Sequence, residues 1–140
     1  MGKMGRIVEN IEEVVLAVSH QEEAVALFEE LFGIEFEDSW TVPVDSMKVR
    51  CARIGNTQFH IVASEKPDTV IAKYIRDKGE GLHHIAFRVA NLEQLVIRLK
   101  EKGVRLVPEE PREDELRKYI FVHPKSVHGV LIELIECKRS

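Results

Sequence analysis

Apolar and polar positions along the chain follow two periods, and the switch between them recurs in a fixed order. Residues 13–19, EVVLAVS, form a β-branched apolar run. Behind it, HQEEAVALFEELFG repeats Ala24, Leu27, Phe28 and Leu31 at helical spacing until Gly33 supplies a stop. A strand and then a helix are expected. Three strand-like stretches follow, IEFEDSWTV, KVRCARIG and TQFHIVAS, separated by turn residues such as DS and GN. KPDTVIAKYIRDKGEG reads as a linker helix over about residues 68–78, with Asp68 at the N-cap position and Val70, Ile71, Tyr74 and Ile75 on one face. The first order then returns. HIAFRVA reads as a strand, NLEQLVIRLKEKG as a helix with Leu95, Val96 and Leu99 inward, and VRLVPE, KYIFVHP and GVLIELIE as three more strands.

The two halves share one βαβββ plan, and the alignment between them is arithmetical. A shift of 71 residues lays Glu13 on His84 and Val18 on Val89, and the helix-ending glycines Gly33 and Gly103 agree with it to within one residue. Farther on, QFHIV (58–62) lies on LIELI (131–135) with a shift of 73, so that His60 meets Glu133. The expected fold class is therefore α+β. Two βαβββ repeats, about 8–64 and 80–137, would form one curved mixed sheet around a central cleft, with the helices on the outer face, in a single domain spanning residues 1–140.

Because successive strand residues face opposite sides, the pattern also says where the polar side chains point. Val14, Leu16 and Val18 belong under the first helix, and Glu13 turns the other way. Phe59 and Ile61 go in and His60 out; Ile85, Phe87 and Val89 go in and His84 out; Ile132 and Leu134 go in and Glu133 out. Four polar residues thus occupy equivalent positions. If the repeats pack about a pseudo-twofold axis, two imidazoles and two carboxylates meet on one concave surface, a donor set suited to a divalent transition metal with coordination positions left open. His83 falls on the packed side or in the preceding loop and reads as a structural histidine, with a group supporting a ligand from behind as the alternative.

Composition narrows the partners. The chain has 140 residues, 44% hydrophobic and 31% charged, with a net charge of -4 and no basic cluster longer than the terminal KRS. That argues for a soluble globular protein and against nucleic-acid or anionic-membrane partners. The beginning, MGKMGRIVEN, lacks an apolar h-region, no apolar run approaches the roughly 18 residues of a membrane span, and a cytoplasmic location is expected. Cys51 and Cys137 form no CxxC pair and read as buried reduced thiols.

From IEEVVLAV to GVLIELIE the chain resembles the methylmalonyl-CoA epimerases of the vicinal oxygen chelate superfamily, which also holds lactoylglutathione lyases, extradiol dioxygenases and antibiotic-binding resistance proteins. The resemblance is carried by IAKYIRDKGEGLHHIAF, RLKEKGVRL, EEPR and HPKSVHGVLIEL. It implies an isomerase that removes an α proton from a methylmalonyl-CoA-like acyl-CoA substrate, a divalent ion of cobalt, nickel, zinc or manganese, and a homodimer. It also puts the metal ligands at Glu13, His60, His84 and Glu133.

Three departures from that family pattern stand out. Glu13 replaces a histidine and His60 replaces a glutamate or glutamine, so the total of two imidazoles and two carboxylates is kept, as in the lactoylglutathione lyases. The glutamate that serves the epimerases as a base, just after a proline, is here Val44, with Asp45 next to it. A turn in PVDS would be needed to re-aim Asp45, whose plainer reading is a turn residue. Finally, EDEL stands where the epimerases have a glycine-rich loop, and Glu113, Asp114 and Glu115 read as a solvated loop. The resemblance leaves Glu133 as ligand and base and Asp45 as the only candidate for the opposite catalytic group. The alternatives are a lactoylglutathione lyase-like enzyme, a non-catalytic small-molecule binding protein on the same fold and, third, an extradiol dioxygenase. His123 reads as a turn residue before proline, Lys125 and Ser126 as a solvated turn, and Trp40 and Phe36 as packing residues.

Overall fold

The N-terminal strand β1 (Val8–Ala17) is followed by α1 (Gln21–Phe32), β2 (Asp38–Val42), a 3-10 turn (Pro43–Asp45), β3 (Met47–Ile54), β4 (Thr57–Ser64) and α2 (Val70–Lys78). The order then repeats with β5 (Gly81–Val89), α3 (Leu92–Glu101), β6 (Leu106–Glu113), β7 (Arg117–Val122), a second 3-10 turn (Pro124–Ser126) and β8 (Ile132–Cys137). This is a computed structural model, and it describes residues 6–138. The first five residues and the last two of the KRS tail lie outside them. Eight strands, three α helices and a mixture of parallel and antiparallel pairing, among the described residues, make the α+β class that the pattern predicts.

The chain forms two compact units. One is Glu13–His83; the other takes the described residues up to Glu12 together with those from His84 onward. In the first, β4 runs parallel to β1 with Glu13 beside Gln58, β3 is antiparallel to β4, and β2 is antiparallel to β3. The second copies this plan. There β8 runs parallel to β5 with Ala86 beside Glu133, β7 is antiparallel to β8, and β6 is antiparallel to β7. Within each unit the strand that follows the loop from the helix sits at the edge, so the first strand pairs with the last.

Each unit is cored by the apolar side of its strand alternation. In the Glu13–His83 unit, Leu16, Val18, Ala52, Phe59, Ile61 and Ala63 pack against Ala24, Val25 and Phe28 of α1. The opposite face, Val15, Ala17, Val49 and Val62, is covered at one end by Ile71, Tyr74 and Ile75 of α2. In the other unit, Phe87, Val89, Ile120, Val122, Ile132 and Leu134 pack against Leu92, Leu95, Val96 and Leu99 of α3. The inward assignments of Phe59, Ile61, Phe87, Val89, Ile132 and Leu134 hold, whereas Ile85 is only half-buried and joins neither core.

Three local expectations change. Helix α1 buries the stripe Ala24, Val25 and Phe28, which leaves Leu27 50% and Leu31 59% exposed, although both share the helical spacing. Thr69, not Asp68, caps α2: its hydroxyl accepts from the backbone N–H of Ala72 at 3.2 Å, and Val70 points to solvent. Strand β2 begins only at Asp38, because Phe36 is drawn into the core beside Phe59. The stop at Gly33 holds for the expected reason. Its φ of 66° is left-handed, which lets its N–H bond the carbonyl of Glu29.

Candidate functional site

Strand alternation sets the four candidate ligands in two pairs, one in each unit. On β1 and β4, His60 Nδ1 lies 4.0 Å from Glu13 Oε1, and both side chains are largely buried. On β5 and β8, His84 Nε2 lies 3.1 Å from Glu133 Oε1, with Glu133 buried. Burying a carboxylate is costly unless it is paired, and a partner from the adjacent strand supplies that pairing.

Both separations suit a divalent ion. Ligand atoms about 2.1 Å from one ion lie roughly 3 Å apart on adjacent coordination positions and roughly 4.2 Å apart on opposite ones. Imidazole with carboxylate is also the donor chemistry that first-row divalent ions take.

The surroundings fix each pair. His60 Nε2 lies 3.0 Å from Gln58 Oε1, and the edge of Trp40 meets the His60 ring with centroids 5.4 Å apart. The His84 ring lies edge-on to Phe121 at 5.5 Å. Glu133 Oε2 is 3.7 Å from Arg117 Nη1, and the Arg117 guanidinium sits 4.7 Å over the Tyr119 ring. Arg117 opposes Cys137 in the register, so its side chain runs back across Tyr119 to reach Glu133. Sequence reading missed both Gln58 and Arg117. The signal for Gln58 was its place two residues before His60, on the same strand face.

His83 packs against α2. Its ring meets Tyr74 edge-on at 4.6 Å, and the Tyr74 hydroxyl donates to the Leu82 carbonyl at 2.9 Å. Trp40 touches a candidate ligand, whereas Phe36 is core.

Asp45 lies in the 3-10 turn Pro43–Asp45, which ends strand alternation after Val42. The turn that PVDS needed is therefore present. Val44 is 96% exposed, while the neighbouring Asp45 is half-buried and its backbone carbonyl accepts from Ser64 Oγ at 3.4 Å.

The acidic loop is consumed by its own turn. Asp114 Oδ1 accepts from the N–H groups of Leu116 and Arg117, and the Leu116 bond above all holds this carboxyl below its usual range. Glu113 pairs with Lys138. His123 likewise caps the second 3-10 turn, its Nδ1 accepting from Lys125 N–H at 3.1 Å, and Ser126 Oγ accepts from the N–H of Arg105.

Cys51 stands beside His60 in the β3–β4 register and is buried, whereas Cys137 is only half-buried, and no disulfide joins the two. Burial, reinforced by the Asp38 and Glu13 carboxylates, pushes the Cys51 thiol up to about 11 from an ordinary 9.0. The folded chain thus holds this proton more tightly than the unfolded chain does. The stabilisation is complete below about pH 9 and is lost as pH rises through about 11, a change of roughly 2 to 3 kcal/mol. Urea unfolding should show that loss between about pH 8 and pH 11, and the loss should be smaller in Cys51→Ala; equal losses in the two proteins would rule the thiol out as its source.

Residues 12–122 match the sequence model of the Glyoxalase/Bleomycin resistance protein/Dioxygenase superfamily. The human mitochondrial methylmalonyl-CoA epimerase is 32% identical over 123 residues, which cover 86% of this chain and 70% of that protein. The crystal structure of methylmalonyl-CoA epimerase from Mycobacterium tuberculosis matches with a TM-score of 0.83 at 28% identity, covering 96% of this chain and 92% of that one. A methylmalonyl-CoA epimerase in complex with methylmalonyl-CoA and NH4+ matches with a TM-score of 0.83 at 25% identity, covering 96% and 97%. With the fold and these relatives in agreement, the chain belongs to the glyoxalase/bleomycin resistance protein/dioxygenase superfamily, in the family of the methylmalonyl-CoA epimerases.

Proposed function

We propose that the protein is an isomerase that epimerises methylmalonyl-CoA or a closely similar acyl-CoA, and that Glu13, His60, His84 and Glu133 together hold a divalent metal ion for the reaction. The observation that carries this reading is the matched pairing: each unit presents one imidazole and one carboxylate from equivalent strands, 4.0 Å apart in one and 3.1 Å apart in the other. Relatives named for this reaction, one of them solved with methylmalonyl-CoA, supply the substrate. Two nitrogen and two oxygen donors suit cobalt, nickel, zinc or manganese.

Bound there, the ion would supply Lewis-acid stabilisation of the negative charge that develops on a thioester carbonyl when the neighbouring proton leaves. Glu133 doubles as ligand and base and takes the α proton; it is a buried carboxylate beside His84 and Arg117. Arg117 offers a cation to the anionic group of the substrate. Asp45 returns a proton on the other face. A second reading, a one-base isomerase of the lactoylglutathione lyase type, is favoured by the exposure of Val44 at the usual base position.

Inversion of a single methylmalonyl-CoA epimer by protein loaded with cobalt, nickel, zinc or manganese is the expected result. No inversion with any of the four ions, followed by circular dichroism or by a coupled mutase assay, would end the epimerase reading.

A further inference from the structure

We infer that Gln58 is a positioning residue that fixes the tautomer of His60, so that His60 takes the metal through Nδ1 and not Nε2. This rests on the metal site proposed above and adds to it a group outside the ligand set. Gln58 Oε1 is 3.0 Å from His60 Nε2, and it also accepts a weak bond from the Cys51 thiol at 3.7 Å. In this orientation the amide oxygen faces both groups, and a thiol proton turned to it makes the second donor–acceptor pair. A carboxamide oxygen facing Nε2 requires a proton on Nε2, and a neutral imidazole then carries its lone pair on Nδ1. Nδ1 is the nitrogen turned to Glu13, at 4.0 Å.

The arrangement is held from several sides. Gln58 stands beside Glu13 in the β1–β4 register, and Cys51 stands beside His60 in the β3–β4 register. Trp40 closes the ring edge-on. A partner accepting from the distal N–H of a ligating histidine orients the ring and raises its basicity, and its loss typically weakens metal binding about 10- to 100-fold.

Three variants and two readouts test this without substrate. In metal-free wild-type protein, 15N imidazole shifts should show His60 protonated on Nε2 and unprotonated on Nδ1, and in protein loaded with 113Cd the cadmium–nitrogen coupling should fall on Nδ1. Gln58→Leu should scramble the tautomer and weaken cadmium binding by about 10- to 100-fold in calorimetry. Gln58→Glu, which keeps an acceptor, should restore the Nε2–H tautomer and most of the affinity. Lys102→Gln, at an exposed residue just past the end of α3 in the other unit, is the control and should change neither readout. Coupling to Nε2, or affinity within about twofold of wild type in Gln58→Leu, would overturn the assignment while leaving the metal site intact. Wild-type protein that binds no cadmium overturns both.

Discussion

His84→Ala abolishes tight binding of a divalent ion, with an expected loss in affinity of more than about 100-fold, whereas His83→Ala leaves that affinity nearly unchanged. The two histidines are neighbours on β5, and strand alternation sends them to opposite surroundings. His84 Nε2 faces Glu133 Oε1 at 3.1 Å, while the His83 ring packs on Tyr74. Losing a ligand costs more than losing a group behind one, for which about 10- to 100-fold is typical. The stability effects should separate the roles again. His83→Ala loses an edge-to-face aromatic contact, about 0.5 to 1.5 kcal/mol. His84→Ala leaves a buried carboxylate with one partner fewer, about 1 to 3 kcal/mol in the metal-free protein. Calorimetric titration with zinc or cobalt checks the first contrast and urea unfolding the second. Equal affinity in the two variants would remove His84 from the ligand set.

What could be read from the sequence depended on whether a side chain's surroundings follow from its own strand or helix. Alternation on β4, β5 and β8 is a local property, so the outward positions of His60, His84 and Glu133 followed from the pattern, and Ile61 and Leu134 are buried on the other side as expected. Helix α1 shows the opposite case. Ala24, Leu27, Phe28 and Leu31 all share helical spacing, but only contact with Phe59 and its neighbours on the sheet selects which edge of that stripe is covered. The cap of α2 was a choice between adjacent residues with similar side chains, settled by the reach of the Thr69 hydroxyl to Ala72 N–H. Arg117 was hidden for a different reason. It sits at the start of β7, and only a long side chain laid back over Tyr119 brings its charge to Glu133.

Asp45→Asn should lose inversion of methylmalonyl-CoA by at least about 100-fold while still washing deuterium into the substrate, and Glu133→Gln should lose both. General acid–base groups typically contribute about 10²- to 10⁴-fold, and epimerisation needs one on each face of the α carbon. Asp45 is asked to act from an unusual place. Its turn is tied to Ser64, four residues beyond His60 on β4, which at about 3.3 Å per residue is about 13 Å along the strand. The acyl group must extend from the ligand pairs toward that turn for the carboxylate to reach its α proton directly or through one water. The 3-10 turn helps, because it breaks the alternation that would have set Asp45 opposite Val44 and leaves Asp45 half-buried beside a fully solvated valine. The measurement is proton NMR of one epimer in deuterated water with metal-loaded protein, following deuterium uptake and stereochemistry together. Inversion that survives Asp45→Asn would take this residue out of the reaction, and uptake without inversion in the wild type would make Glu133 a lone base on one face, the outcome expected of a one-base isomerase.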